Sequence, residues 1–143
     1  MRPCPCLASF GEVTPPEIVD DALRRFAEHV SHRDVEAVVA LFHEDGVLFG
    51  SEAREWAEGS TDLRELLNSL FARPQTYSWT SWEPLITGSA GDVIWFVSPA
   101  TLLESVDGVE TGFPYRLSGV LQQADDGQWL FRQLNGSEPA DGP

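Results

Sequence analysis

Residues 92–135, DVIWFVSPATLLESVDGVETGFPYRLSGVLQQADDGQWLFRQLN, contain three segments rich in β-branched and aromatic residues, separated by two turn sequences. Such residues suit a pleated, half-buried surface. Asp107-Gly108 is typical of a hairpin turn, and Asp125-Asp126-Gly127 is a second turn signal. The stretch therefore predicts an antiparallel sheet with strands over residues 92–104, 113–124 and 128–135.

The residues just before this stretch extend the sheet. Residues 75–87 are rich in Thr, Tyr and Trp and predict one more strand, followed by a turn over residues 88–91. Pro99 lies inside the strand predicted over residues 92–104. Because proline cannot donate to the ladder, we expect a bulge or an edge at that point.

The first half of the chain predicts three helices. Thr14-Pro15-Pro16-Glu17 combines an N-cap, a first-turn proline and a capping box, and the apolar stripe that follows predicts a helix over residues 15–31. Asp34 caps a second, shorter helix that we expect Gly46 to end. A short strand over residues 47–49 and a third helix follow; that helix begins at Ser60 or Thr61 and is stopped by Pro74.

This order of elements is typical of an α+β fold, with helices packed on a mostly antiparallel sheet. A strongly curved sheet wrapped over helices has a concave side, and concave sides become pockets. We expect flexible tails at residues 1–13 and 140–143 around a single domain at residues 14–139.

Composition excludes several classes of function. The 143 residues carry a net charge of −14, which disfavours nucleic acid and anionic membrane surfaces as partners. All nine basic residues are Arg, so lysine-dependent chemistry is excluded. Cys4 and Cys6 are interpreted as free thiols in a tail. The sequence contains neither a metal-binding motif nor a cofactor-binding fingerprint, and without an export or membrane segment we expect a cytoplasmic protein.

Two local motifs carry a family resemblance. GSEAREWAEG, residues 50–59, is similar to the Gly-Ser/Thr, Glu-Trp, Gly pattern before the third helix of many SnoaL-like proteins. YRLSGVL, residues 115–121, followed by DGQW, residues 126–129, resembles the final hairpin of that family. Over residues 15–139 the chain therefore resembles the SnoaL-like branch of the nuclear transport factor 2-like superfamily.

The resemblance implies a cystatin-like cone in which three N-terminal helices pack on a curved sheet around one pocket. It does not fix an activity, because members include polyketide cyclases, isomerases, dehydratases, epoxide hydrolases and plain binding domains. Related chains often carry a His two residues before a Ser-x-Pro exit, where this chain has Asn135. An amide cannot take a proton near neutral pH, so a base is missing at that point.

Three residues are candidates for acid–base chemistry. Glu104 is the candidate base if its side chain points inward, and Tyr77 or Arg116 is the candidate donor to a developing oxyanion. Alternatively, Arg116 pairs with a neighbour such as Glu104 across the sheet.

Five further residues are candidates for ligand binding: Trp56, Trp79, Phe131, Gln133 and Asn135. Strand alternation would place Trp129, Phe131, Gln133 and Asn135 on one face of the last strand, either as a cavity wall or as a strand end that meets solvent. Trp79 shares a face with Tyr77 and belongs to the core or to an apolar pocket. Trp56 either folds inward at the pocket rim or anchors the loop before the third helix.

Three hypotheses for function follow. The first is a binding domain for a small hydrophobic or aromatic molecule, and the second is an enzyme of the cyclase, isomerase or dehydratase type. The third is a dimeric interaction module, because residues 93–97 are apolar at every position, as in a sheet covered on both sides. We expect a homodimer whichever of the first two holds.

Overall fold

Residues 12–140, described by a computed structural model, form three helices and seven strands. The helices are α1 (Pro15–Ser31), α2 (Val35–Val39) and α3 (Gly59–Phe71). The strands are β1 (Phe42–Phe49), β2 (Trp56–Glu58), β3 (Thr76–Thr80), β4 (Ile86–Ala90), β5 (Val93–Val106), β6 (Val109–Gln123) and β7 (Trp129–Ser137). Cys4, Cys6 and most of both predicted tails lie outside the described residues.

Helix α1 begins as its sequence predicts. The Thr14 hydroxyl accepts a hydrogen bond from the Glu17 amide at 3.4 Å, and the Glu17 carboxylate accepts one from the Thr14 amide at 3.4 Å. This capping box satisfies two amides that have no partner within the helix. The buried stripe then packs on the sheet and consists of Val19, Ala22, Leu23, Phe26, Ala27 and Val30.

The strands form one curled sheet in the order β2-β1-β7-β6-β5-β3, with β4 also paired to β5. All neighbours are antiparallel except β1 and β7. Pro99 of β5 lies opposite Arg116 without a register shift. On its other side, β4 pairs with β5 only up to Val97 and β3 only from Thr101, so the predicted edge is present where the N–H is missing.

The single strand predicted over residues 75–87 was wrong. β3 ends at Thr80 and β4 begins at Ile86, so most of the turn predicted at residues 88–91 belongs to a strand. Ser81 has a φ of 59°, which breaks the extended backbone, and Pro84 cannot donate to a ladder. The two short strands instead pair with successive parts of the same edge of β5, β4 with residues 93–97 and β3 with residues 101–105.

The sequence predicted that Gly46 ends the second helix, and this prediction was wrong. Helix α2 stops at Val39, and Gly46 lies within β1, where the register against β7 shifts between Phe42 and Val47. A Cβ at this glycine would lie 2.8 Å from the Phe131 carbonyl oxygen. The glycine is therefore required by the close approach of two strands at an irregularity.

The alternation predicted along the last strand was also wrong. In the ladder with β6, Leu121 pairs with Phe131 whereas Val120 pairs with Gln133, so Arg132 is an extra residue. This bulge exchanges the two faces of β7 at its midpoint. Phe131 and Leu134 are consequently both buried, and Gln133 is exposed.

The hydrophobic core lies between the helices and the inner face of the sheet. Its most deeply buried side chains include Leu23 of α1, Leu63 of α3 and Leu121 of β6. None of the helices within residues 12–140 is long and apolar enough to cross a membrane.

Candidate functional site

A cavity of about 380 Å³ lies between α1, α3 and the inner face of the sheet. Phe26 of α1 and Leu66 of α3 line it from the helices, and Leu102, Leu117 and Leu134 line it from β5, β6 and β7. The inner face of β6 is thus the one that carries Phe113, Tyr115 and Leu117. The position of the cavity follows from the curl of the sheet around the helices.

Aromatic side chains form one wall of the cavity. The rings of Trp79 and Tyr115 are 6.1 Å apart at 49°, and those of Trp79 and Phe26 are 5.2 Å apart at 36°. The indole Nε1 of Trp79 is buried without a hydrogen-bond partner among the described residues. Trp79 therefore contributes apolar contact area to the cavity wall, and its polar atom is unsatisfied.

Tyr115 reaches the cavity because β7 has a glycine beside it. A Cβ at Gly136 would lie 2.4 Å from the Tyr115 hydroxyl oxygen, so any larger residue would displace this ring. Burial raises the pKa of Tyr115 well above its usual value, and the negative charges of Glu55 and Glu138 raise it further. At neutral pH the hydroxyl is therefore protonated and able to donate.

Glu104 and Tyr77 are neighbours in the cavity wall. They are directly paired between β5 and β3, and both side chains line the cavity. Within residues 12–140, the Glu104 carboxylate makes no hydrogen bond or ion pair with another side chain. The inward orientation that the acid–base hypothesis requires of Glu104 is therefore present, and its role in catalysis stays a prediction.

The rim of the cavity carries one guanidinium. Arg73 follows α3, and its Nη1 lies 3.7 Å from Oε2 of Glu52. The Tyr77 hydroxyl beside it raises the pKa of Arg73; the charges of Glu52 and Glu55 act in the same direction, and burial opposes them. Arg73 is thus already paired with Glu52 and lies beside the Tyr77 hydroxyl.

A compact loop, Gly50–Glu55, forms the rest of the rim. The Gly50 amide donates to the Glu55 carbonyl at 2.8 Å, and the Glu52 amide donates to Oε1 of Glu55 at 2.9 Å. Glu52, Glu55, Arg73 and Glu138 also line the cavity and were not among the site residues predicted from the sequence. Glu55 lies within the GSEAREWAEG motif, so that motif was the available signal.

Several predicted site residues lie away from the cavity. Arg116 is exposed on the outer face of the sheet, because it alternates with the inward-facing Tyr115 and Leu117. Gln133 is exposed and Asn135 does not line the cavity, because the bulge at Arg132 reverses the face that the sequence assigned to them. Arg116, Gln133 and Asn135 are therefore not brought together with Glu104 and Tyr77 in the cavity wall.

Phe131 and Trp56 also lie outside the cavity lining. Phe131 is 1% exposed and packs in the core against Phe42, with ring centroids 5.1 Å apart. Trp56 is 57% exposed at the edge strand β2, and its Nε1 donates to Glu58 Oε2 at 2.9 Å. Its ring packs on that of Phe49, with the ring centroids 5.3 Å apart, so Trp56 does not fold inward, which was one of its two alternatives.

The histidines and acids do not form a metal centre within residues 12–140, since no three His, Cys, Asp or Glu side chains are grouped to hold an ion. His43 is used structurally, with its Nε2 3.0 Å from the Gln122 carbonyl oxygen.

Residues 19–141 match the sequence profile of the SnoaL-like domain. The chain belongs to the SnoaL-like domain family. This match covers most of the chain and confirms the resemblance carried by the motifs at residues 50–59 and 115–129. Among proteins with curated descriptions, none matches this SnoaL-like domain in sequence.

Solved structures confirm the fold of this SnoaL-like domain. A ketosteroid isomerase-like protein from Erwinia carotovora atroseptica superposes with a TM-score of 0.70 at 22% identity, covering 87% of this chain and 95% of that one. A nuclear transport factor 2-like protein with a cystatin-like fold from Novosphingobium aromaticivorans gives 0.71 at 16% identity, covering 90% and 84%. A Catenulispora acidiphila protein in complex with S-DNPA gives 0.73 at 18% identity, covering 83% and 89%.

Proposed function

We propose that this SnoaL-like domain binds a small hydrophobic or aromatic molecule in its cavity. The observation that carries the proposal is the cavity of about 380 Å³, whose walls are mainly apolar and include the rings of Trp79 and Tyr115. Small-molecule sites typically have volumes of roughly 300–1,000 Å³ and apolar linings with a few polar groups. The Catenulispora acidiphila protein of similar fold, which holds S-DNPA, supports the proposal by analogy.

A cavity-filling substitution tests binding at this place. Purified protein is screened by thermal shift against naphthalene-sized aromatic compounds, and a binder at about 100 times its Kd should stabilise the fold by about 2.7 kcal/mol. Leu66→Trp places a large ring in the cavity and should abolish the shift. Val109→Trp adds the same ring at a position that is 63% exposed on the β5–β6 hairpin, and should retain it.

The proposal would be overturned if no aromatic compound shifted the melting temperature. It would equally fail if Leu66→Trp, folded and cooperative in unfolding, kept the full shift.

One observation favours a second candidate, an enzyme of the isomerase, cyclase or dehydratase type. Glu104 lines the cavity directly beside Tyr77, which gives a carboxylate base and a hydroxyl donor in one wall. For any compound that is both bound and turned over, Glu104→Gln should lower kcat by about 10²–10⁴ while leaving affinity measurable. Unchanged turnover in that variant would remove Glu104 as the base.

We further propose that two copies of the domain pair through the outer face of the sheet. Ile86 lies opposite Val97, and Trp95 packs across Gly88, so three large apolar side chains are adjacent and 45–58% exposed. Light scattering should then give a mass of twice 15.8 kDa.

A further inference from the structure

We infer that the ligand carries a positive charge: an aromatic or hydrophobic body in the apolar part of the cavity, and a protonated amine at its rim. The inference deepens the proposed function and rests on it. It comes from the charges that line the same cavity as the aromatic wall, and from how each of those charges is already used.

Four carboxylates and one guanidinium line the cavity. The guanidinium, Arg73, is engaged by Glu52 at 3.7 Å and lies beside the Tyr77 hydroxyl. A ligand carboxylate would therefore compete with groups of the protein for the single cation available to it. The remaining acids are Glu55, Glu104 and Glu138.

Of these remaining acids, Glu55 interacts with the charge of Arg73, whereas Glu104 and Glu138 have no compensating cation among the described residues. Glu104 and Glu138 form no ion pair within residues 12–140, and Glu55 uses one oxygen to accept from the Glu52 amide. Glu104 lies near the end of the β3–β5 ladder, and Glu138 directly follows β7. The acids thus approach the cavity from separate elements of the fold, so an anion placed there would meet repulsion from more than one side.

The aromatic wall favours the same class of ligand. The faces of Trp and Tyr rings attract cations, by about 0.5–2 kcal/mol depending on solvent exposure. Trp79 and Tyr115, tilted by 49° with centroids 6.1 Å apart, present two such rings beside the carboxylates. A net charge of −14 on the whole chain also raises the local concentration of cations around it.

A set of compounds that share one ring system and differ in the charge of their polar group tests the inference. Naphthylmethylamine is a cation at neutral pH, naphthylmethanol is neutral and naphthoate is an anion, while all three share one ring system. Titration calorimetry at low salt should show the amine binding about tenfold more tightly than the alcohol, which corresponds to about 1.4 kcal/mol, and naphthoate binding most weakly.

Matched variants locate the preference. Glu104→Gln and Glu138→Gln, singly and together, should weaken amine binding by several-fold and leave the alcohol unchanged. Glu110→Gln removes an equal charge from an exposed position outside the cavity, and should leave amine binding as in the unsubstituted protein.

Distinct results overturn distinct conclusions. If the alcohol and naphthoate bind as tightly as the amine, the inference is wrong while the proposed function stands. If Glu110→Gln weakens the amine as much as Glu104→Gln and Glu138→Gln do, overall charge and not the cavity rim sets the preference, and the inference is again wrong. If none of the three compounds binds and the wider aromatic screen is also negative, the proposed function itself fails.

Discussion

Tyr115 links the chemistry of the cavity to the stability of the fold. Its folded-state pKa is raised, first by burial and then by Glu55 and Glu138, whereas in the unfolded chain it ionises near pH 10. Its stabilising contribution is therefore complete below about pH 10 and is lost as pH rises above that value. Urea unfolding should show a free energy of unfolding that falls above about pH 10, and Tyr115→Phe should remove this component.

Few other side chains titrate in the pH range of this experiment, because the chain contains no Lys and only two tyrosines. Tyr77→Phe is the matched control, since it removes the other hydroxyl and leaves Tyr115 in place. Ultraviolet absorbance of tyrosinate follows the ionisation directly. Equal alkaline slopes for Tyr115→Phe and the unsubstituted protein would show that Tyr115 does not carry the effect.

At the scale of elements, one arginine joins the helices to the wall of the cavity. Arg33, in the turn between α1 and α2, donates through Nη2 to the carbonyl oxygens of Arg73, Pro74 and Gln75 at 2.9, 3.2 and 3.2 Å. This segment follows α3 and leads into β3, which carries Tyr77. Arg33→Ala should lower the free energy of unfolding by about 1–2 kcal/mol and speed amide exchange in β3.

Arg25→Ala is the matched control for Arg33. Arg25 lies on α1 in an exposed ion pair with Asp21 at 3.0 Å, and its loss should cost at most about 0.5 kcal/mol. Ala at position 33 keeps the left-handed backbone (φ 55°), so the difference reports the side chain. If both variants cost the same and β3 exchanges normally, Arg33 does not hold the segment.

Local sequence motifs predicted helices and turns correctly wherever a motif is typical of a single structure. The capping box of α1 and the Asp107-Gly108 hairpin between β5 and β6 both carry their chemistry within four residues, and both are present. Gly46 was misjudged because a glycine ends a helix and permits close strand contact equally well. The two uses are distinguished only by the close carbonyl of Phe131, a residue of β7 that lies 85 positions later in the sequence.

The candidate site was predicted only in part for the same reason. Tyr77, Trp79 and Glu104 lie in strands whose pairing has no register shift, and all three line the cavity. Gln133 and Asn135 follow the bulge at Arg132. No local sequence pattern predicts this bulge, so the sequence assigned both residues to the wrong face of β7. The acids and Arg73 at the rim come from loops and a helix end, whose positions depend on tertiary contacts and not on periodicity.

At the scale of the whole molecule, the net charge disfavours the pairing of two copies, whereas the apolar patch on the outer face of the sheet favours it. Two copies that each carry −14 repel one another, yet β4 and residues 93–103 of β5 contain no charged residue. Under the proposed pairing, two copies would therefore meet with little local repulsion at the patch of Ile86, Trp95 and Val97. Added salt screens the repulsion, with a Debye length of about 10 Å at ~0.1 M, and leaves apolar contact intact.

Dimerisation should therefore strengthen as salt rises, the reverse of what an interface held by ion pairs would show. Light scattering at micromolar protein should give a larger dimer fraction at ~0.1 M than at ~0.01 M salt. Trp95→Asp puts a charge in the middle of the patch and should yield a monomer at both concentrations. Val109→Asp adds the same charge to a side chain that is 63% exposed outside the patch, and should remain dimeric at ~0.1 M salt. A mass of one chain under all conditions would contradict the proposed pairing. The two variants differ only in the position of the added charge, so an equal loss of dimer in both would mean that the interface lies elsewhere.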